Sequence, residues 1–144
     1  MAGAKAAERL EEIIVAFAAL DDPDRLALLL EFGERAGRDA LPEAPDSDAW
    51  ERVSECQTPV YLVVGGTSDA VSLRIAAPSA APTTRAFAAL LVAAVDGSEA
   101  SGVEAVPDEL ARTLGLERWI SPLRLAGMSG MVRRMKRRVR AAVE

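Results

Sequence analysis

The stretch Ser54-Glu55-Cys56-Gln57-Thr58-Pro59-Val60-Tyr61-Leu62-Val63-Val64-Gly65-Gly66 decides how the chain is read. Val60, Leu62 and Val64 fall on one face of an extended backbone, Tyr61 and Val63 on the other. That period of two, rich in β-branched and aromatic types, predicts a strand. Gly65-Gly66 is expected to turn the chain, and Val71, Leu73 and Ile75 open a second alternation. Residues 59–77 therefore read as a β-hairpin, with Pro59 at its opening, where a missing donor is tolerated. Just ahead lies Cys56, the single cysteine, and the chain has no histidine. A thiol in such an entry loop can be held at the surface while a rigid sheet fixes its position.

Working outward, Leu10, Ile13, Ile14 and Phe17 form the stripe of an amphipathic helix over about residues 4–19. Asp21-Asp22-Pro23 ends it, with Asp22 read as the cap of a second helix running to about Arg38 through Leu26, Leu29, Leu30 and Phe32. Gly33 inside that helix is expected to mark close packing. Residues 39–48 read as a loop, followed by a short strand at about Trp50 to Val53. After the hairpin, Thr83 or Thr84 is read as capping a helix through Phe87, Leu90, Leu91 and Val95. Residues 98–106 read as a polar loop, and Pro107-Asp108-Glu109 as the start of a short helix, its acids suiting the helix dipole. Ser121 caps the last helix, whose apolar stripe is Met128, Met131 or Val132, Met135, Val139 and Val143. Its opposite, basic face reads as solvated, and Tyr61 and Trp119 read as core aromatics. The order is two helices, three short strands, then three helices. This gives an α+β fold, a small three-stranded antiparallel sheet covered by N- and C-terminal helices, in one domain over residues 1–144.

Composition narrows the function. The 144 residues are half hydrophobic but only 4% aromatic, so the core is built mainly from Leu, Val and Ala. No apolar run approaches the roughly 18 residues of a membrane span, and no export signal is evident. One cysteine excludes an internal disulfide framework, so a reduced cytoplasm is the expected location. Without histidine there is no Cys/His zinc site and no Ser-His or Cys-His pair within the chain. No Gly-rich phosphate loop is present. The formal charge is −5; residues 129–144 contribute +5, which leaves −10 on residues 1–128. An acidic body repels nucleic acid and anionic membrane, while a basic last helix attracts them or an acidic protein.

Four stretches, in order, carry a resemblance to a known family. They are Leu28 to Arg35 (LLLEFGER), Val53 to Tyr61 (VSECQTPVY), the Ala- and Leu-rich Thr84 to Val95, and Ile120 to Met128 (ISPLRLAGM). Together they resemble SufE, the sulfur acceptor of bacterial iron–sulfur cluster assembly. The match runs over about residues 8–143. The chain departs from the family pattern at Glu55, where Gly is usual, at Pro59, and at Ala126, where Asn is usual.

The resemblance implies a sulfur relay with no cofactor or metal on this chain. A pyridoxal-phosphate-dependent cysteine desulfurase of the SufS type would present a persulfide. Cys56 would take its outer sulfur and pass it to an iron–sulfur scaffold of the SufBCD type. Arg124 is the implied stabiliser of the thiolate or persulfide, and Gln57 the implied support of the loop. Glu55 opposes a thiolate by its charge, and Glu51 and Glu55 read as steering docking to a basic desulfurase surface. A homodimer is left open, and a nucleic acid partner is not expected. Two alternatives stay open: an adaptor of the same fold that regulates a desulfurase without carrying sulfur, and a nucleic-acid-associated protein acting through the basic helix.

Overall fold

The computed structural model describes residues 2–36 and 41–143. Helices α1 (Ala2–Ala18) and α2 (Asp22–Arg35) come first, then strands β1 (Glu51–Arg52), β2 (Tyr61–Gly66) and β3 (Val71–Ala76). Helices α3 (Pro82–Val95), α4 (Ala100–Glu104), α5 (Leu110–Thr113) and α6 (Pro122–Val143) follow. The sheet is antiparallel in the order β1-β2-β3, with β2 central. This is the expected α+β arrangement.

The alternation of β2 and β3 sets the layers. Val60, Leu62, Val71, Leu73 and Ile75 are buried, on the side against which α6 packs on β2 and α3 on β3. Helix α3 is the central element: Ala86 through Leu91 are all buried, which its Ala- and Leu-rich sequence permits. The stripes of the outer helices meet it. Phe17 of α1 stacks on Phe32 of α2 with ring centroids 6.4 Å apart. Gly33 lets α2 approach α3 closely, since a Cβ there would stand 3.2 Å from the Ala86 Cα. On α6, Met128, Met131, Val132, Met135 and Val139 are all buried, as their spacing requires.

Several local expectations are corrected. The turn of the hairpin is not at Gly65-Gly66, which pair with Ser72 and Val71 in the ladder. It lies at Thr67–Ala70, closed by Thr67 N–H to Ala70 O and by Ala70 N–H to both the Thr67 carbonyl and its Oγ1. Gly66 is needed as the chain enters that turn, because its φ is +79° and a Cβ would run into the Ala70 carbonyl. Asp22 does not cap α2; it is the helix's first residue, and its carboxylate pairs with Arg25 and Arg118, each at 3.0 Å. Thr83 and Thr84 lie inside the first turn of α3, which opens one residue earlier at Pro82. The polar loop over residues 98–106 contains the five-residue α4, too short to leave a periodic signature. Helix α2 is described to Arg35, and the expected extension over residues 37 and 38 and the loop start at 39 and 40 lie outside the described residues. Ser121 does cap α6, its Oγ accepting from Arg124 N–H at 3.3 Å.

Both aromatic assignments also change. Trp119 is 50% exposed. It sits in the turn after Leu116, where the core is already closed by Leu114, Leu116 and Ile120. Tyr61 is half-buried on the outer face of the sheet, with the Arg52 guanidinium 5.7 Å from its ring centroid. Among the described residues no helix is long and apolar enough to cross a membrane.

Candidate functional site

The loop before β2 is folded on itself. Val53 N–H donates to Val60 O, Cys56 N–H to Val53 O, and Val60 N–H to Thr58 O, at 2.8, 3.0 and 2.9 Å. These bonds tie both ends of the loop to the start of the sheet and hold Cys56 at its apex. The apex rests on α6. A Cβ on Gly127 would stand 2.8 Å from the Cys56 Sγ, so the sulfur occupies the place a side chain would take. Cys56 is only 7% exposed.

A small cleft of about 100 Å³ opens beside the thiol. Cys56, Gln57 and Thr58 line it from the loop, Ala81 and Thr84 from the start of α3, and Leu123, Arg124 and Gly127 from α6. The fold thus brings Cys56, Gln57 and Arg124, far apart in sequence, to one cleft. Gln57 and Arg124 are exposed, Thr84 is buried, and Leu123 is 52% exposed at the rim.

The electrostatics do not favour a thiolate in this arrangement. Burial pushes the Cys56 thiol up, and the Glu55 carboxylate adds to it, to about 11. Arg52 and Arg134 pull in the other direction without prevailing. Arg124 shares the cleft, yet the cations that act on the thiol in this conformation come from β1 and from three turns further along α6. Burial works to raise the Glu55 carboxyl too, but its hydrogen bond and charge contact with Arg134, with help from Arg137, leave it below the usual carboxylate range.

Arg134 is the residue that sequence reasoning missed. Its Nε donates to Glu55 Oε1 at 2.7 Å, Nη1 to Glu51 Oε2 at 2.5 Å, and Nη2 to Ser54 Oγ at 2.6 Å. Its side chain is 18% exposed. The basic face of α6 is therefore not simply solvated. Lys136 pairs with Asp108 at 2.8 Å, Arg133 with Glu109 at 3.2 Å, Arg138 with Glu51 at 3.4 Å, and Arg140 with Glu104. Nor do Glu51 and Glu55 form a free acidic patch, since Arg134 holds both. One signal for this was present in the sequence. Gly127, Gly130 and Arg134 recur at i, i+3 and i+7, one face of a helix.

Known proteins resemble this chain in sequence and in fold. Two proteins of Mycobacterium tuberculosis, from strains CDC 1551 / Oshkosh and H37Rv and each described as an uncharacterised SufE-like protein, are 45% identical over 134 residues, covering 92% of both chains. The solution structure of a hypothetical protein from Thermus thermophilus superposes with a TM-score of 0.78 at 34% identity, covering 93% of this chain and 95% of that one. The model of the SufE family, described as an Fe–S metabolism associated domain, matches residues 11–139. That match over most of the chain, with relatives 45% identical along nearly their whole length, makes the chain a member of the SufE family.

Proposed function

We propose that this protein accepts sulfur on Cys56 from the persulfide of a pyridoxal-phosphate-dependent cysteine desulfurase, stimulates that enzyme, and hands the sulfur to an iron–sulfur scaffold in the cytoplasm. The observation that carries this is the placement of the chain's single thiol at a cleft on a sheet-anchored loop, in a chain of a family tied to Fe–S metabolism. A desulfurase of the SufS type and a scaffold of the SufBCD type are the fitting partners, and the whole chain acts as one acceptor domain.

The step is an exchange at sulfur. The Cys56 thiolate attacks the outer sulfur of the donor persulfide. A new S–S bond forms on Cys56, the donor's S–S bond breaks, and its electron pair leaves with the donor cysteine thiolate. Cys56 then carries the persulfide, and a second exchange of the same kind passes the sulfur on. No second cysteine on this chain is needed, because the sulfur is carried and not resolved to a disulfide.

A thiol at about 11 supplies roughly one thiolate in ten thousand at pH 7, so the reactive form requires the loop to leave its seat or the donor site to supply a cation. Arg124, exposed at the cleft, is the residue placed to pair with the sulfur once the loop moves, and Gln57 supports the loop. Leu123 in the first turn of α6 and Trp119 in the turn before it, both about half exposed, offer apolar surface for docking.

The same burial of Cys56 favours a second reading, an adaptor that stimulates a desulfurase without carrying sulfur. One experiment separates them. Alanine release from L-cysteine by the organism's desulfurase is measured with this protein and with Cys56→Ser, and intact mass is read for one added sulfur on the chain. Stimulation and the adduct, both lost in Cys56→Ser, support the relay. Stimulation that survives in Cys56→Ser supports the adaptor, and the absence of both effects refutes each reading.

A further inference from the structure

Glu55 and Arg134 stand 79 residues apart and meet directly beside the thiol. Three features of this meeting are unusual together. First, α6 is notched to receive Glu55. A Cβ on Gly130 would stand 2.7 Å from the Glu55 Cδ and 2.8 Å from its Cβ, so the acidic side chain lies flat in the groove that the missing methyl leaves. Second, Arg134, one turn on, closes over that groove and directs one nitrogen to each of Glu55, Glu51 and Ser54. Third, Ser54 and Glu55 are the two residues immediately before Cys56. Arg134 thus holds both residues that lead into the segment seated on Gly127.

We propose that Glu55 and Arg134 are positioning residues that latch the Cys56 loop into the glycine notch of α6, so that the thiol is presented only when this ion pair is released. The latch depends on geometry around Gly127 and Gly130, and it stands whether or not Cys56 carries sulfur. It differs from the pairs that α6 makes further from the thiol. Arg140–Glu104 and Lys136–Asp108 tie α6 to α4 and to the segment before α5, and neither reaches the loop. It also explains a conflict in the site. A chain whose single thiol is to react places a carboxylate next to it, which works against a thiolate. That carboxylate is the catch.

The test reads the thiol and needs no partner. The native protein is alkylated with iodoacetamide, a neutral reagent, over a pH series. The rates are compared for Arg134→Leu, Gly130→Ala, Glu55→Gln, Arg134→Lys, and Arg140→Leu as a control on the same helix. The charged groups facing the thiol are Glu55 on its own loop, Arg52 on β1, and Arg124 and Arg134 on α6, so the profile is read as a comparison among variants. Arg134→Leu and Gly130→Ala are expected to react about tenfold faster or more at pH 8, with their rate midpoint moved down toward that of an ordinary thiol. Glu55→Gln lies between them and the unaltered protein, Arg134→Lys recovers part of the protection, and Arg140→Leu matches the unaltered protein. Amide exchange of β3, measured alongside, separates release of the loop from global unfolding. Rates within twofold of the unaltered protein in Arg134→Leu and Gly130→Ala overturn the latch. So do Arg134→Lys behaving as Arg134→Leu, Arg140→Leu reacting as fast as Arg134→Leu, and acceleration matched by an equal loss of protection in β3.

Discussion

Cys56 is seated by what its neighbour lacks. Gly127 offers no Cβ, and a methyl there would press on the sulfur at 2.8 Å and on the Cys56 Cα at 3.4 Å. Gly127→Ala is therefore expected to displace the loop and lower stability by about 1–3 kcal/mol, read from the urea midpoint. The proton on Cys56 gives a second expectation. The folded protein holds it more tightly than the unfolded chain does, so its contribution to stability is complete below about pH 8.5 and is lost as the pH climbs toward about 11. Unfolding free energies of the native protein and Cys56→Ser, followed across that range, should show the native protein losing ground to the variant. At this scale the sequence was legible in part. It singled out Cys56, Gln57 and Arg124, and all three line one cleft. It assigned Trp119 to the core because aromatic side chains are usually buried, whereas the space under that turn is filled by Leu114, Leu116 and Ile120.

Helices α2 and α3 cross where Gly33 faces Ala86, and the crossing has no spare room. Gly33→Leu is expected to push the two helices apart and to cost about 1–3 kcal/mol, checked by thermal unfolding with circular dichroism. The long helices could be read from sequence because apolar side chains at a spacing of 3.6 leave a clear stripe, and every described member of the α6 stripe is buried. Their ends were read less well. Asp22 has the chemistry of a cap, but Arg25 and Arg118 take its carboxylate, and these lie on other turns of the chain. The basic face of α6 was read only in part for the same reason: Arg133, Arg137, Arg138 and Arg140 are exposed as expected, but Arg134 and Lys136 are not. Its partners Glu51, Glu104, Asp108 and Glu109 are distant in sequence, and only the folded chain brings them across from Arg134, Arg140, Lys136 and Arg133.

Across the whole molecule the charge is segregated in sequence but largely matched in space, because the basic C-terminal helix lies along acids of the body. This weakens the nucleic-acid reading, which needs those cations to be available for phosphates. A second long-range tie joins the layers. Arg85 of α3 donates to the carbonyls of Ala77 (2.5 Å) and Leu41 (2.7 Å) and pairs with Glu43 (3.2 Å), so one guanidinium fastens the long loop, the end of β3 and α3 together. Arg85→Met leaves those two carbonyls without their donor and is expected to cost about 2–4 kcal/mol, measured by urea denaturation. The α+β class was readable at this scale because the period runs 3.6, then 2, then 3.6 in separate blocks along the chain. The stitching was not, since no local pattern announces which arginine will find a carbonyl 44 residues away.

The groove under Glu55 also binds two positions into one inheritance. At position 130 any side chain larger than hydrogen collides with the acid at 55, while at position 55 a small residue leaves the groove empty. Mutational drift at either site is therefore conditional on the other. A Gly130→Ala change that harms this protein should become harmless in a Glu55→Gly background, and a lineage can cross between the two pairings only by changing position 55 first.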